Sequence, residues 1–319
     1  MTKPFASLNR AYAQTFQPGR LSLGLVVPIE DYLPEERPAM DRHIDRVRLA
    51  EELGFAAVWL RDIPFEVPSF GDVGQMFDPF VYLGALAMQT DRIGIGIASA
   101  ILPLRHPAHL AKAAASVDVL SGGRMLLGVA SGDRPEEYPA MAIDYETRGM
   151  RFRESVEYMK AAFHTNPRLE NGFGRLNGHV DVLPKPTAGR IPMLITGGCQ
   201  QPPEWGAEHM DGFITYPRPA AMQQSIVEGY RARVAEACDV DKPVMQSLYI
   251  NLMSAADAPA RPIHLGFSSG VEYLLRYLKE IEALGVNHVA INLRFNYADT
   301  EDTLRQLAEV ILPEFASNV

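Results

Sequence analysis

Two stretches of this 319-residue chain combine residue types and spacing that suit a bound phosphate. Thr196-Gly197-Gly198-Cys199-Gln200-Gln201 follows a short apolar run and leads into a helical pattern. Consecutive glycines leave bare N–H groups there, and a helix N-terminus adds positive potential that favours an anion. Arg148, Arg151 and Arg153 open the longest helical pattern, and a guanidinium fork matches phosphate oxygens well. Each stretch also has a plainer reading. The first can be an ordinary βα turn, and two of the three arginines can lie on a solvated helix face with Glu154 and Glu157 as partners one turn on. Taken together, the two stretches are compatible with a phosphorylated cofactor.

Other patterns fail on inspection. Gly94-Ile95-Gly96-Ile97-Ala98-Ser99 imitates a dinucleotide fingerprint, but Ser99 replaces the third glycine and the glycines lie inside a strand pattern. Relief of crowding inside a barrel is the better reading of them. His106 and His109 share a helix face, yet no further Cys or His completes a zinc set, so capping or packing is expected and no metal site is. Ser131-Gly132-Asp133 follows a strand without a partner histidine at a telling spacing. A net charge of −9 argues against nucleic acid and anionic membranes as partners. Cys199 and Cys238 make no disulfide framework and suit a reducing cytoplasm. Met1 to Phe16 lacks the apolar core of a secretory signal, and no run is long enough to span a bilayer.

The elements that must position these residues alternate from end to end. Apolar runs at Leu21–Pro28, Ala56–Arg61, Arg92–Ala98, Met125–Ala130, Pro192–Thr196, Asp211–Thr215, Val244–Met253 and Val286–Leu293 read as strands. Helical patterns separate them at Met40–Leu53, Pro79–Gln89, Pro107–Leu120, Arg148–Phe163, Glu204–His209, Ala220–Ala237 and Val271–Leu284, and Thr300–Leu312 follows the last strand. Strict alternation implies parallel strands, and eight units favour a closed (β/α)8 TIM barrel, with residues 1–319 as one domain. After the fourth helix the chain makes an irregular excursion over 166–190, with a hairpin expected in Arg175–Leu183, and 254–269 reads as a second loop. Barrel function lies at the C-terminal strand ends. The candidates are therefore Glu30, Arg61 and Asp62, Ala98 and Ser99, Ser131 to Arg134, Gly197 to Gln201, Tyr216 to Arg218, and Arg294.

In order and spacing, Arg92–Gly132 (RIGIGIASAILPLRHPAHLAKAAASVDVLSGGRMLLGVASG) resembles the third-to-fourth-strand segment of the luciferase-like monooxygenase family. The stretches Ala142–Phe152 and Asp211–Pro219 are similar to further segments of that family, and the likeness runs over nearly the whole chain. The resemblance implies the (β/α)8 barrel and a reduced flavin, FMN or in one branch a deazaflavin. It places Ala98-Ser99 where members often carry a non-proline cis peptide behind the flavin ring. It puts Ser131 near the ribityl and phosphate region, Arg148 near a phosphate-binding arginine, and Gly198 with Cys199 near the backbone phosphate donors; Gly197 and Gln201 share that loop. Asp62 falls beside the ring on the substrate side. Light-emitting members carry a histidine just after strand two, where this chain has Arg61-Asp62-Ile63-Pro64, and that departure counts against light emission.

The resemblance thus implies a flavin-dependent oxidoreductase, and a monooxygenase in particular, in which reduced FMN and oxygen act on a small organic substrate. A partner flavin reductase supplies the reduced FMN, because no nicotinamide fingerprint is present. WLRD and TYPRP look closer to FMN-type members; deazaflavin-dependent hydride transfer and non-catalytic flavin binding are the alternatives. Asp62 is the expected polarising or proton-transferring carboxylate, with Arg61 holding substrate or tuning it. The plainer reading is an Arg61–Asp62 rim ion pair, screened by solvent and worth about 0–1 kcal/mol. A homodimer through the early helices is also expected.

Overall fold

The computed structural model describes residues 3–32, 36–70 and 76–315. Eight parallel strands close on themselves: β1 (Ser22–Val26), β2 (Ala57–Leu60), β3 (Gly94–Ile101), β4 (Met125–Ala130), β5 (Met193–Thr196), β6 (Gly212–Thr215), β7 (Val244–Leu252) and β8 (His288–Asn292). Each pairs with the next, and β8 returns to β1 with Ser22 opposite His288. The strands are buried on both faces, which is why they read as apolar runs without polar alternation. The period of two survives in what each residue touches. Ala57 and Trp59 face the barrel interior with Val26, Leu126, Leu194, Ile214, Met245 and Ala290. Val58 and Leu60 face outward, into a second cluster shared with the helices.

The helices are α1 (His43–Leu53), α2 (Pro79–Ala87), α3 (Pro107–Leu120), α4 (Arg148–Phe163), α5 (Pro203–His209), α6 (Ala220–Ala237), α7 (Val271–Ala283) and α8 (Thr300–Gln306). The first starts three residues later than its apolar pattern suggests. Met40 is left-handed, with φ 58°, and its N–H donates to Glu30 Oε1 at 3.0 Å, which holds it outside the helix. His106 caps α3 by accepting from the Ala108 N–H at 3.2 Å, and it packs against Tyr158 and Phe173. Gly96 belongs to the wall and not to a nucleotide loop: a Cβ there would lie 2.7 Å from the Trp59 ring.

Two segments depart from expectation. The hairpin of the excursion pairs Arg168–Asn171 with Gly174–Asn177 and not residues within 175–183. Its turn is Gly172-Phe173, between Asn171 and Gly174, with Asn171 Oδ1 accepting from the Phe173 N–H at 3.0 Å. The stretch 254–269 is not a bare loop. Arg261–Ile263 and Gly266–Ser269 form a hairpin whose second strand extends the sheet beside β7.

A short helix, Arg10–Thr15, plugs the N-terminal end of the barrel. Asn9 caps it, and the Asn9 amide donates to Asp118 at 3.0 Å and to the Met125 carbonyl at 2.6 Å. Tyr12 reaches across to donate to the Asp211 carbonyl at 2.7 Å. Above the plug lies His288, wholly buried. Trp59 Nε1 donates to its Nε2 at 2.9 Å, so Nδ1 carries the proton toward Ser22 Oγ at 2.7 Å. Burial favours this neutral form and pushes the imidazole pKa down to about 3.

Candidate functional site

At the opposite, C-terminal end the strands open into a cavity of about 860 Å3, within the range of small-molecule and cofactor sites. Val26, Ala98, Ile214, Met245 and Ala290 give it an apolar floor. Of the residues expected from sequence, Arg61, Asp62, Ala98, Ser99, Ser131, Gly132, Asp133, Arg134, Tyr216 and Arg294 stand on its walls. The Ala98–Ser99 peptide is cis, as expected at that place. Ser99 Oγ is hydrogen-bonded to Thr196 Oγ1, tying the end of β3 to the end of β5.

Asp62 lies two residues after β2 and is 6% exposed. Its partner is Arg105 and not Arg61: Arg105 Nη2 meets Oδ1 at 2.7 Å and Nε meets Oδ2 at 3.0 Å. Oδ2 also accepts from the Ile101 N–H at 3.0 Å. Arg105 continues to Asp78 at 3.0 Å. The Asp62 carboxylate is therefore an anion pinned to the loop after β3, and the rim pair expected from adjacency is replaced by this clamp.

Arg148, Gly197, Gly198, Cys199 and Gln201 lie off the cavity wall, at a corner where α4 meets the loop after β5. Gln201 Nε2 donates to the Gly149 carbonyl at 2.7 Å, and a Cβ on Gly149 would lie 2.7 Å from Gln200 Cβ, so loop and helix start are in contact. Cys199 and Gln200 have φ of 47° and 58°, a left-handed backbone uncommon for residues with side chains and frequent at functional sites. The Gly197 N–H donates to Ile214 O and the Gln201 N–H to Gly198 O. Among the described residues the amides between them, Gly198, Cys199 and Gln200, donate to no protein acceptor. Nothing within 4 Å would touch a Cβ on Gly197 or Gly198, so the loop faces open space.

Arg148 stacks 3.8 Å over the Tyr145 ring and donates to the Tyr145 carbonyl at 2.9 Å. The other two arginines are structural, with partners other than the glutamates expected from helical spacing. Arg151 holds the Pro103 carbonyl at 3.2 Å, and Arg153 holds Gln201 at 3.0 Å. The Cys199 thiol is buried against Thr196 O, and burial pushes its pKa up to about 12; this residue offers its backbone and not a thiolate. Tyr138 joins the corner to the cavity, donating to the Ser131 carbonyl and meeting Tyr145 edge-on at 5.0 Å.

Several wall residues were not singled out from sequence. Tyr249 and His264 meet at 5.6 Å, and Tyr249 and Phe295 at 5.3 Å, forming an aromatic side to the cavity. His264 arrives on the turn of the unforeseen hairpin, so missing that hairpin meant missing the residue. Glu137 begins a four-residue helix over the mouth and is 2% exposed. Its Oε1 has no hydrogen-bond partner among the described residues, and the nearest cation, Arg134 Nη1, is 3.8 Å away. Burial raises its pKa to about 7, against the pull of Arg134. The only hint in the sequence is a Glu three residues after Arg134 in a loop at the barrel mouth.

A model of the luciferase-like monooxygenase family matches residues 15–259. An uncharacterised protein of Mycobacterium tuberculosis is 31% identical over 301 residues, covering 87% of this chain and 94% of its own. The oxygenase component of the flavin-dependent trigonelline monooxygenase of Acinetobacter baylyi is 28% identical over 177 residues, which is 54% of this chain and 44% of that protein. Among solved structures, an F420-dependent secondary alcohol dehydrogenase bound to an F420–acetone adduct matches with a TM-score of 0.76 at 17% identity, covering 93% of this chain and 100% of that one. At that identity the likeness is one of fold.

Proposed function

This chain belongs to the luciferase-like monooxygenase family, and from that premise we propose that it is a monooxygenase using reduced FMN and oxygen on a small organic substrate. One observation carries the reading. Three amides without acceptors among the described residues, at Gly198, Cys199 and Gln200, lie in the loop that touches the start of α4 at Gly149, the residue after Arg148. That donor set suits a phosphate, and the cavity suits a planar ring. FMN bound there supplies two-electron chemistry with oxygen.

In this reading Arg148 and the Gly197–Gln201 loop hold the phosphate, Ser131 the ribityl chain, and Ala98-Ser99 backs the ring. Asp62, pinned by Arg105, is a fixed negative charge that polarises the site, and Arg61 holds the substrate. A separate flavin reductase supplies the reduced cofactor, which agrees with a relative described as an oxygenase component. We read the chain as one cytoplasmic domain that dimerises through α1 and α2, whose Val81 and Met88 are exposed. No described helix is long and apolar enough to cross a membrane.

Titration of the purified protein with FMN, riboflavin and F420 tests the reading. FMN is expected to bind, and with a flavin reductase to support oxygen uptake. Arg148→Ala should weaken FMN by about 1.5–3 kcal/mol, the range for hydrogen bonds to charged groups, and leave riboflavin unchanged. Equal loss for both ligands makes Arg148 structural. Tight binding of F420 alone replaces the monooxygenase with a deazaflavin-dependent hydride-transfer enzyme, and FMN binding without turnover leaves a flavin-binding protein.

A further inference from the structure

We propose that Glu137 is the catalytic acid of the cavity, giving its proton to dioxygen as the oxygen is reduced there. The inference rests on the cavity being the flavin site.

Three carboxylates line the cavity: Asp62, Asp133 and Glu137. Asp62 has both oxygens held by Arg105 and the Ile101 amide. Asp133 is exposed to solvent. Glu137 differs from both. It is 2% exposed, it faces Arg134 at 3.8 Å, too long for a hydrogen bond, and its buried Oε1 has no hydrogen-bond partner among the described residues. A buried polar atom left unpaired costs about 1–3 kcal/mol, and a native structure retains one where it has a use.

The groups around Glu137 set its proton affinity. Burial and the charges of Asp62 and Asp133 raise it, while Arg134 and the Phe65 N–H lower it, leaving the carboxyl near 7. The charge of Arg61 in turn acts on Arg134. A carboxyl titrating near the working pH holds its proton and still releases it readily, which is the optimum for proton transfer.

The balance is simplest without substrate. Bound reduced FMN, as its anion, would supply dioxygen with two electrons and one proton. The Glu137 O–H bond breaks to supply the second proton, and its electron pair stays on the carboxylate. Oxidised FMN and hydrogen peroxide result, and the carboxylate takes a proton back from water.

Two measurements test the assignment. Infrared difference spectra of the flavin-free protein, taken across neutral pH, should show a carboxyl band that converts to carboxylate near pH 7 and is missing in Glu137→Gln. Stopped-flow reoxidation of photoreduced FMN on the parent protein should slow as pH rises through that value. In Glu137→Gln it should be about 10²-fold slower at the acid end, the lower bound for a positioned acid, and flat with pH. Glu137→Asp should restore the pH dependence, and FMN affinity should stay within a few-fold in both variants. Failure of the parent to bind FMN overturns the flavin reading and this proposal with it. FMN binding with reoxidation unchanged in Glu137→Gln, or no carboxyl band near pH 7, overturns this proposal alone.

Discussion

At the lower end of the barrel, Tyr12, Phe16, Trp59 and His288 fill the interior with rings whose polar atoms are hydrogen-bonded. At the upper end the same strands deliver Arg61, Asp62, Ser99 and Ser131 to the walls of a cavity of about 860 Å3. The lower end repeats one solution, a ring packed on a ring, and it is closed. The upper end mixes groups fixed by neighbours with Glu137, whose Oε1 finds no hydrogen-bond partner among the described residues. Rings with matched polar atoms read as scaffold; a buried carboxyl with an unmatched oxygen beside a cavity reads as site. Asp62 stands at the same mouth with both oxygens held, by Arg105 and the Ile101 amide.

The largest test removes a ring from the closed end. Trp59→Ala should cost about 3–5 kcal/mol in urea unfolding, the usual loss for a buried aromatic, since it opens a cavity and strips His288 of its donor. A loss under 1 kcal/mol would break the division between the two ends. Asp62→Asn sharpens it from the other side. Removing one partner of a buried pair costs about 3–5 kcal/mol, and the part-exposed Arg105 places this variant at or below the lower bound. A melting temperature equal to the parent's would return Asp62 to the solvent-screened rim.

His288 gives the smallest effect per step and the most specific one. Its folded-state pKa, about 3, lies below the ordinary value, so the unfolded chain binds the extra proton. The stability it contributes is complete above about pH 6.5 and falls by about 1.4 kcal/mol per pH unit as pH drops toward 3. Chemical denaturation at stepped pH should show this slope in the parent and its loss in His288→Gln. A parent whose stability is flat through this window would mean that the buried imidazole is not held neutral.

Much of this was legible in the residues. Strands buried on both faces announce themselves as apolar runs, and all eight lie where those runs are. The loop Gly197–Gln201 touches the start of α4 at Gly149, one residue from Arg148. What stayed hidden depends on contacts distant in sequence. Arg105 is 43 residues from Asp62, and adjacency pointed to Arg61 instead. The hairpin at 261–269 has strands of three and four residues, too short to show a period, and it carries His264 with it. Nothing local marks Glu137 as buried; its proton affinity is set by the loops that cover it.

The plug at the foot of the barrel imposes an order on the making of the protein. Asn9 and Tyr12 leave the ribosome first, but Asn9 must wait 116 residues for Met125, and Tyr12 must wait 199 for Asp211. Ser22 and Trp59 wait longest, for His288. Until the last strand emerges, the rings that close the floor face water with their partners unmade, and contacts so far apart in sequence form slowly. A chain cut short before His288 thus keeps seven of its eight strands and loses the partner that both ends of the ring share, so it should be recognised and degraded as unfinished.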